Sequence, residues 1–78
     1  MIYQQKVILK MTIGEKIKHV LEIKGLTQKD LAQKSHLTNA TICRYINDSR
    51  MPNAENLKIL CETLDISADW LLEIRKDI

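Results

Sequence analysis

The chain is short of the residues that interrupt helices, cross-link small folds or build reactive sites: its 78 residues include two glycines, one proline, two cysteines and three aromatics. So few helix breakers beside abundant Leu, Ile, Lys, Glu and Gln point to an all-α protein. Cys43 and Cys61 are too few and too far apart for a disulfide framework, and no C-x-x-C or histidine cluster has metal-ligand spacing. We therefore expect reduced thiols, no metal and a cytoplasmic setting. A glycine-rich phosphate loop, a carboxylate pair and a nucleophile with its base are all missing, which argues against an enzyme and against a cofactor. No apolar run approaches the roughly 18 residues of a membrane span, and the N-terminus lacks a signal-peptide core and cleavage site. With 45% hydrophobic residues and few aromatics to fill a core, one small domain of modest stability is expected.

What is present is organised by charge. Residues 24–50 carry Lys24, Lys29, Lys34, Arg44 and Arg50 against Asp30 and Asp48, a surplus of three positive charges. Residues 55–78 carry Lys58, Arg75 and Lys76 against Glu55, Glu62, Asp65, Asp69, Glu73 and Asp77, a surplus of three negative ones. The net charge of +2 thus hides a basic half suited to a polyanion and an acidic half that would turn away from it.

A local pattern recurs three times: an apolar residue, a Ser or Thr, and a second apolar residue four positions later. Leu26, Thr27 and Leu31 show it, as do Leu37, Thr38 and Ile42, and Ile66, Ser67 and Leu71. The hydroxyl can accept from a first-turn N–H that lacks a helical partner, while the apolar pair staples the entering chain to that turn. Each instance marks a helix start. Thr27 and Thr38 are eleven residues apart, enough for about two turns of helix and a short connection, the length of a helix-turn-helix. In that motif the first helix crosses the phosphate backbone and the second enters the major groove.

The second helix, Asn39 to Ile46, has two faces. At 100° per residue from Asn39, Cys43 falls at about 40°, Ala40 at about 100° and Arg44 at about 140°, whereas Tyr45, Ile42 and Ile46 fall between about 240° and 340°. The apolar side belongs to the core. The other carries an amide and a guanidinium, suited to adenine and guanine, with a small Ala between them that can approach a thymine methyl. Taken alone, such a face would be ordinary solvated surface; the paired caps at fixed spacing give it a use.

These stretches resemble the Cro/CI-type (XRE-like) helix-turn-helix family of phage and bacterial transcriptional regulators. The likeness covers roughly Ile13 to Ile74 and runs through G-L-T-Q-K-D-L-A-Q-K (Gly25 to Lys34), L-T-N-A-T-I-C-R-Y-I-N (Leu37 to Asn47), R-M-P-N (Arg50 to Asn53) and L-D-I-S-A-D-W-L-L (Leu64 to Leu72). The resemblance implies a compact five-helix, lambda-repressor-like DNA-binding domain, with its helix-turn-helix at about 28–46, acting as a homodimer on a partly palindromic double-stranded operator. It also implies that Gln28 bonds a phosphate and that the loop at 47–52 touches the DNA backbone. His36, Asp48 and Asp65 stand where the family commonly has glycine. Those positions need positive φ, which Asp and His tolerate better than most residues.

The remaining elements follow in order. Residues 1–11 form an N-terminal extension with a β-branched run at Val7 to Leu9; a disordered arm, a strand pairing with its copy in a dimer, and a tail before an alternative start at Met11 are all open. The DNA-binding domain is expected over 12–78. Thr12 and Glu15 form a capping box for a helix from Ile13 to Lys24, which Gly25 ends, with Ile13, Ile17, Val20 and Leu21 inward and His19 in solvent. Leu31 and Ala32 face inward on the next helix. Asn53 caps a fourth, carrying Leu57, Leu60, Cys61 and Leu64, and Ser67 a fifth over A-D-W-L-L-E-I-R-K, in which Trp70, Leu71 and Ile74 close the core. Leu72 and Ile78 are expected to be exposed, and an apolar patch there would be a candidate dimer surface.

The expected roles are base reading by Asn39, Ala40 and Arg44, with Thr38 and Cys43 nearby, and phosphate contact by Gln28, Lys29, Thr41, Asn47 and Arg50. Cys43, exposed toward DNA, would also be open to oxidation. The reading is a sequence-specific transcriptional regulator, a repressor. The alternative is a protein-interaction module, such as an antitoxin or anti-regulator, whose helices grip a protein partner and bind DNA secondarily.

Overall fold

Five side-chain oxygens, each one residue ahead of a helical run, set the architecture. The computed structural model describes residues 11–73. In it Thr12, Thr27, Thr38, Asn53 and Ser67 have extended backbone and each accepts from the N–H three residues on, at 2.8–3.3 Å. The helices they start are α1 (Ile13–Lys24), α2 (Gln28–Ser35), α3 (Asn39–Ile46), α4 (Ala54–Leu64) and α5 (Ala68–Leu72). Glu15 and Asp30 accept in return from the N–H groups of Thr12 and Thr27, completing two capping boxes. The staples close as expected: Leu31, Ile42 and Leu71 are buried, with Leu26, Leu37 and Ile66 packed on the same core. The described residues contain no strand. Expectations placed on residues 1–10, including Val7 to Leu9, and on Ile74 and Ile78 lie outside the described residues.

Left-handed residues end most of the helices. Gly25 has φ 67°, and His36, Asp48 and Asp65 have φ 63°, 60° and 56°, as their glycine-like positions required. Glu73, at φ 58°, was not anticipated. It ends α5 at Leu72, where the expected helix ran on through Glu73; the expected continuation over residues 74–76 lies outside the described residues. The cause is tertiary. Lys16, only 1% exposed, crosses from α1, donates from Nζ to the Trp70 carbonyl at 2.9 Å and meets Glu73 Oε1 at 3.2 Å. The same ammonium lies 5.3 Å from the centre of the Trp70 ring, so one buried cation occupies the carbonyl end of α5.

Helix α3 packs on α1 and α2, α4 on α2 and α5, and α5 on α1. Between them lie Ile17, Val20, Leu21, Leu31, Ile42, Tyr45, Leu60, Leu64 and Leu71, with Ala32 and Cys61 filling gaps. Burial raises the pKa of the Cys61 thiol, in keeping with a packing role. Gly14 marks the tightest crossing: a Cβ there would lie 2.6 Å from the Tyr45 carbonyl oxygen and closer still to that of Ile46. Only a glycine lets α1 pass directly under the end of α3. His19, expected in solvent, is half-buried and lines, with Ile23 and Trp70, a shallow apolar hollow between α1 and α5.

Candidate nucleic-acid interface

The two faces of α3 separate in the structure as the helical wheel required. Ile42 and Tyr45 are 1% and 4% exposed, Ile46 is half-buried, and Asn39, Ala40, Cys43 and Arg44 are all exposed. One buried side locks the helix against α1 and α2, leaving the other four side chains as a single outward stripe. At its N-terminus the Thr38 hydroxyl accepts from Thr41 N–H at 3.1 Å and donates to Thr41 Oγ1 at 2.7 Å. Thr38 is exposed and Thr41 half-buried.

The far end of α3 is held by side chains that the sequence reading did not connect. Asp48 Oδ2 accepts from Thr12 Oγ1 at 2.6 Å and Oδ1 accepts from the Gly14 N–H at 3.0 Å. The loop leaving α3 is thereby tied to the first turn of α1, beside the Gly14 crossing. The presence of Asp in a glycine-like position was the available signal, since a carboxylate can both tolerate that backbone and bond to it. Ser49 closes the end by donating from its N–H and its hydroxyl to the Arg44 carbonyl, at 3.0 and 3.2 Å. Asn47, exposed, gives one amide proton to Cys43 Sγ at 3.4 Å and keeps the other.

Gln28 and Lys29 are exposed on the first turn of α2, where helix geometry leaves N–H groups free to meet an anion. Asp30 sits in the same turn. Hydrogen bonds from the Thr27 backbone and hydroxyl hold its carboxyl below the usual range against a small effect of burial, helped by Lys34 and Lys29. Arg50, exposed in the loop after α3, joins Thr41 and Arg44 around a hollow of about 480 Å³ whose other walls include Tyr45, Asn53 and Asn56. The structure thus brings Thr41, Arg44 and Arg50 together and leaves Gln28 and Lys29 on a separate helix start. No carboxylate lines this hollow, and neither guanidinium has an acidic partner among the described residues.

Among the described residues no group of three or more His, Cys, Asp or Glu is placed to hold a metal, and no helix is long and apolar enough to cross a membrane. Cys43 and Cys61 are both free thiols.

Comparison with known proteins agrees with this geometry. A family model described as helix-turn-helix matches residues 17–71. The HTH-type transcriptional regulator ImmR of Bacillus subtilis (strain 168) is 32% identical over 62 residues, which are 80% of this chain and 49% of that protein. The chain therefore spans about half the length of this curated relative. The P22 c2 repressor, in its crystal structure with synthetic operator 9T in the presence of Tl+, superposes with a TM-score of 0.75 at 27% identity, over 80% of this chain and 94% of that one.

Proposed function

The chain belongs to the helix-turn-helix family, in its Cro/CI-type branch, and from that premise we propose that it is a sequence-specific DNA-binding transcriptional repressor. Helix α3 enters the major groove, and α2 crosses the backbone beside it. Asn39, Ala40 and Arg44 read base edges with Thr38 and Cys43 close by, while Gln28, Lys29, Thr41, Asn47 and Arg50 meet phosphates. The protein acts in the cytoplasm as a homodimer, its two α3 helices about 34 Å apart on a partly palindromic operator. It binds and does not catalyse, and it needs no cofactor. Its DNA-binding domain runs over residues 12–78, with 1–11 as an extension.

The observation that carries this reading is the exposed stripe of Asn39, Ala40, Cys43 and Arg44 on a helix whose opposite side is sealed in the core. It is supported by the likeness to a repressor solved with operator DNA. Selection of bound duplexes from a random library at two salt concentrations tests it, because motif, half-site spacing and phosphate number come from one experiment. A recovered motif with two half-sites one helical turn apart is expected. Binding that ignores sequence at every ionic strength would refute the proposal.

A further inference from the structure

We propose that the hollow between α3 and α4 seats one phosphodiester of the DNA strand flanking the groove, with the buried Tyr45 hydroxyl and the Asn53 and Asn56 amides as its uncharged donors. This rests on the DNA-binding reading above and assigns the three residues a contact that neither the sequence nor the family likeness had given them. The hollow begins where the outward stripe of α3 ends, since Arg44 belongs to both. Its internal hydrogen bonds engage the Tyr45, Asn53 and Thr41 oxygens and leave each of these three side chains a proton. The Tyr45 hydroxyl, on a side chain 4% exposed, accepts from Asn56 Nδ2 at 2.8 Å, and its own proton has no acceptor among the described residues. Asn53 Oδ1 is engaged by the Asn56 N–H at 2.8 Å, which leaves the Asn53 amide N–H groups for a ligand. Thr41 Oγ1 accepts from Thr38 and likewise keeps its proton.

Two guanidiniums stand at the same walls, and the lining contains no carboxylate. The Asn56 carbonyl oxygen is the one amide acceptor of the lining left without a donor among the described residues. Such a lining selects an oxygen-rich anion over a base edge, which needs donors and acceptors alternating. The first turn of α4 adds its positive end, since Asn53 is the cap of that helix. A strand phosphate held here fixes how far α3 advances along the groove, and so which base pair Arg44 meets.

The uncharged donors have a signature that separates them from the arginines. Losing a neutral hydrogen bond lowers affinity without changing how many counterions are released, so the salt slope stays put. With the full chain and the duplex it selects from a random library, Tyr45→Phe is expected to weaken binding about five-fold at every salt concentration, with an unchanged slope and base preference. Asn56→Asp places a carboxylate in the third position of α4, where the helix dipole favours it, so its Tm should not fall. Its duplex affinity should drop more than ten-fold.

Wild-type affinity in both variants, with Arg44→Ala still altering base preference, overturns this assignment and leaves the DNA-binding reading standing. A chain that selects no duplex overturns both. Inorganic phosphate titrated at constant ionic strength should bind neither chain saturably. Saturable phosphate binding lost in Tyr45→Phe would transfer the hollow to a free anion and also overturn the proposal.

Discussion

Asp48 and Asp65 both follow helix C-termini in left-handed backbone, with opposite consequences. Asp48 at φ 60° holds Thr12 and Gly14, whereas Asp65 at φ 56° makes no side-chain bond among the described residues. A residue with Cβ is disfavoured there by about 1 kcal/mol, and each neutral bond contributes about 1 kcal/mol. Asp65→Gly should therefore stabilise the fold by about 0.5 kcal/mol. Asp48→Gly should destabilise it by about 1 kcal/mol, and Asp48→Ala by about 2 kcal/mol, since Ala loses the bonds and keeps the strain. Urea unfolding of the three variants checks the order, and an Asp48→Gly protein more stable than wild type would show the bonds to be idle. Arg44, exposed on α3, is the residue on which base preference should turn. Arg44→Ala is expected to cost about 1–3 kcal/mol of binding and relax preference at one base pair, and Gln28→Ala to weaken all sequences alike. Repeating the duplex selection with each variant distinguishes the two roles.

At the level of elements, helix starts could be read from the chain because their chemistry is local. Thr12, Thr27, Thr38, Asn53 and Ser67 each bond a group three residues on, a distance that sequence displays directly. What holds one helix against another was not legible. The bonds of Asp48 to Thr12 and Gly14 join residues 36 and 34 positions apart, and that of Lys16 to Trp70 residues 54 apart. No spacing rule announces them, and the hollow beside Arg44 is hidden from the sequence for the same reason, since Tyr45 and Asn56 meet across two helices. The α1–α3 crossing is testable at Gly14. Alanine there would ordinarily favour a helix by about 1 kcal/mol, yet its Cβ would strike backbone oxygens of Tyr45 and Ile46. A net destabilisation of about 2 kcal/mol is expected for Gly14→Ala in thermal unfolding. The start of α2 gives a pH signature. The Asp30 carboxyl lies below its ordinary 3.8 in the folded chain, so its contribution is present above that value and is lost as pH falls through the lower, folded one. Asp30→Asn should flatten the fall in Tm across that acidic window, and an unaltered acid limb would show the capping bonds to be unimportant.

Across the whole molecule, the first and last described helices are joined by one buried cation. Lys16 ties the beginning of the fold to its last described turn through the Trp70 carbonyl and Glu73, and its aliphatic stem fills space between α1 and α5. Breaking a fully buried ion pair can cost about 3–5 kcal/mol, but the Glu73 side chain is 31% exposed and stays hydrated when its partner is lost. The cost should fall instead on the packing of the stem and on the Trp70 carbonyl, which is left with only the 3.4 Å bond from the Glu73 N–H. Lys16→Met, which keeps the volume, is then expected to destabilise by about 1–2 kcal/mol, and Lys16→Ala by about 3–4 kcal/mol because a cavity is added. Unfolding midpoints at low and high salt measure both. The Met variant's deficit should change little with salt, because the ammonium is shielded from counterions. If Met proved as damaging as Ala, the charge and not the stem would be holding α5. The outward stripe of α3 owes its exposure to the opposite side of the core. A Lys16→Met chain that loosened α5 should therefore still select the wild-type duplex, and any shift in base preference would mean that the two ends of the fold are mechanically coupled.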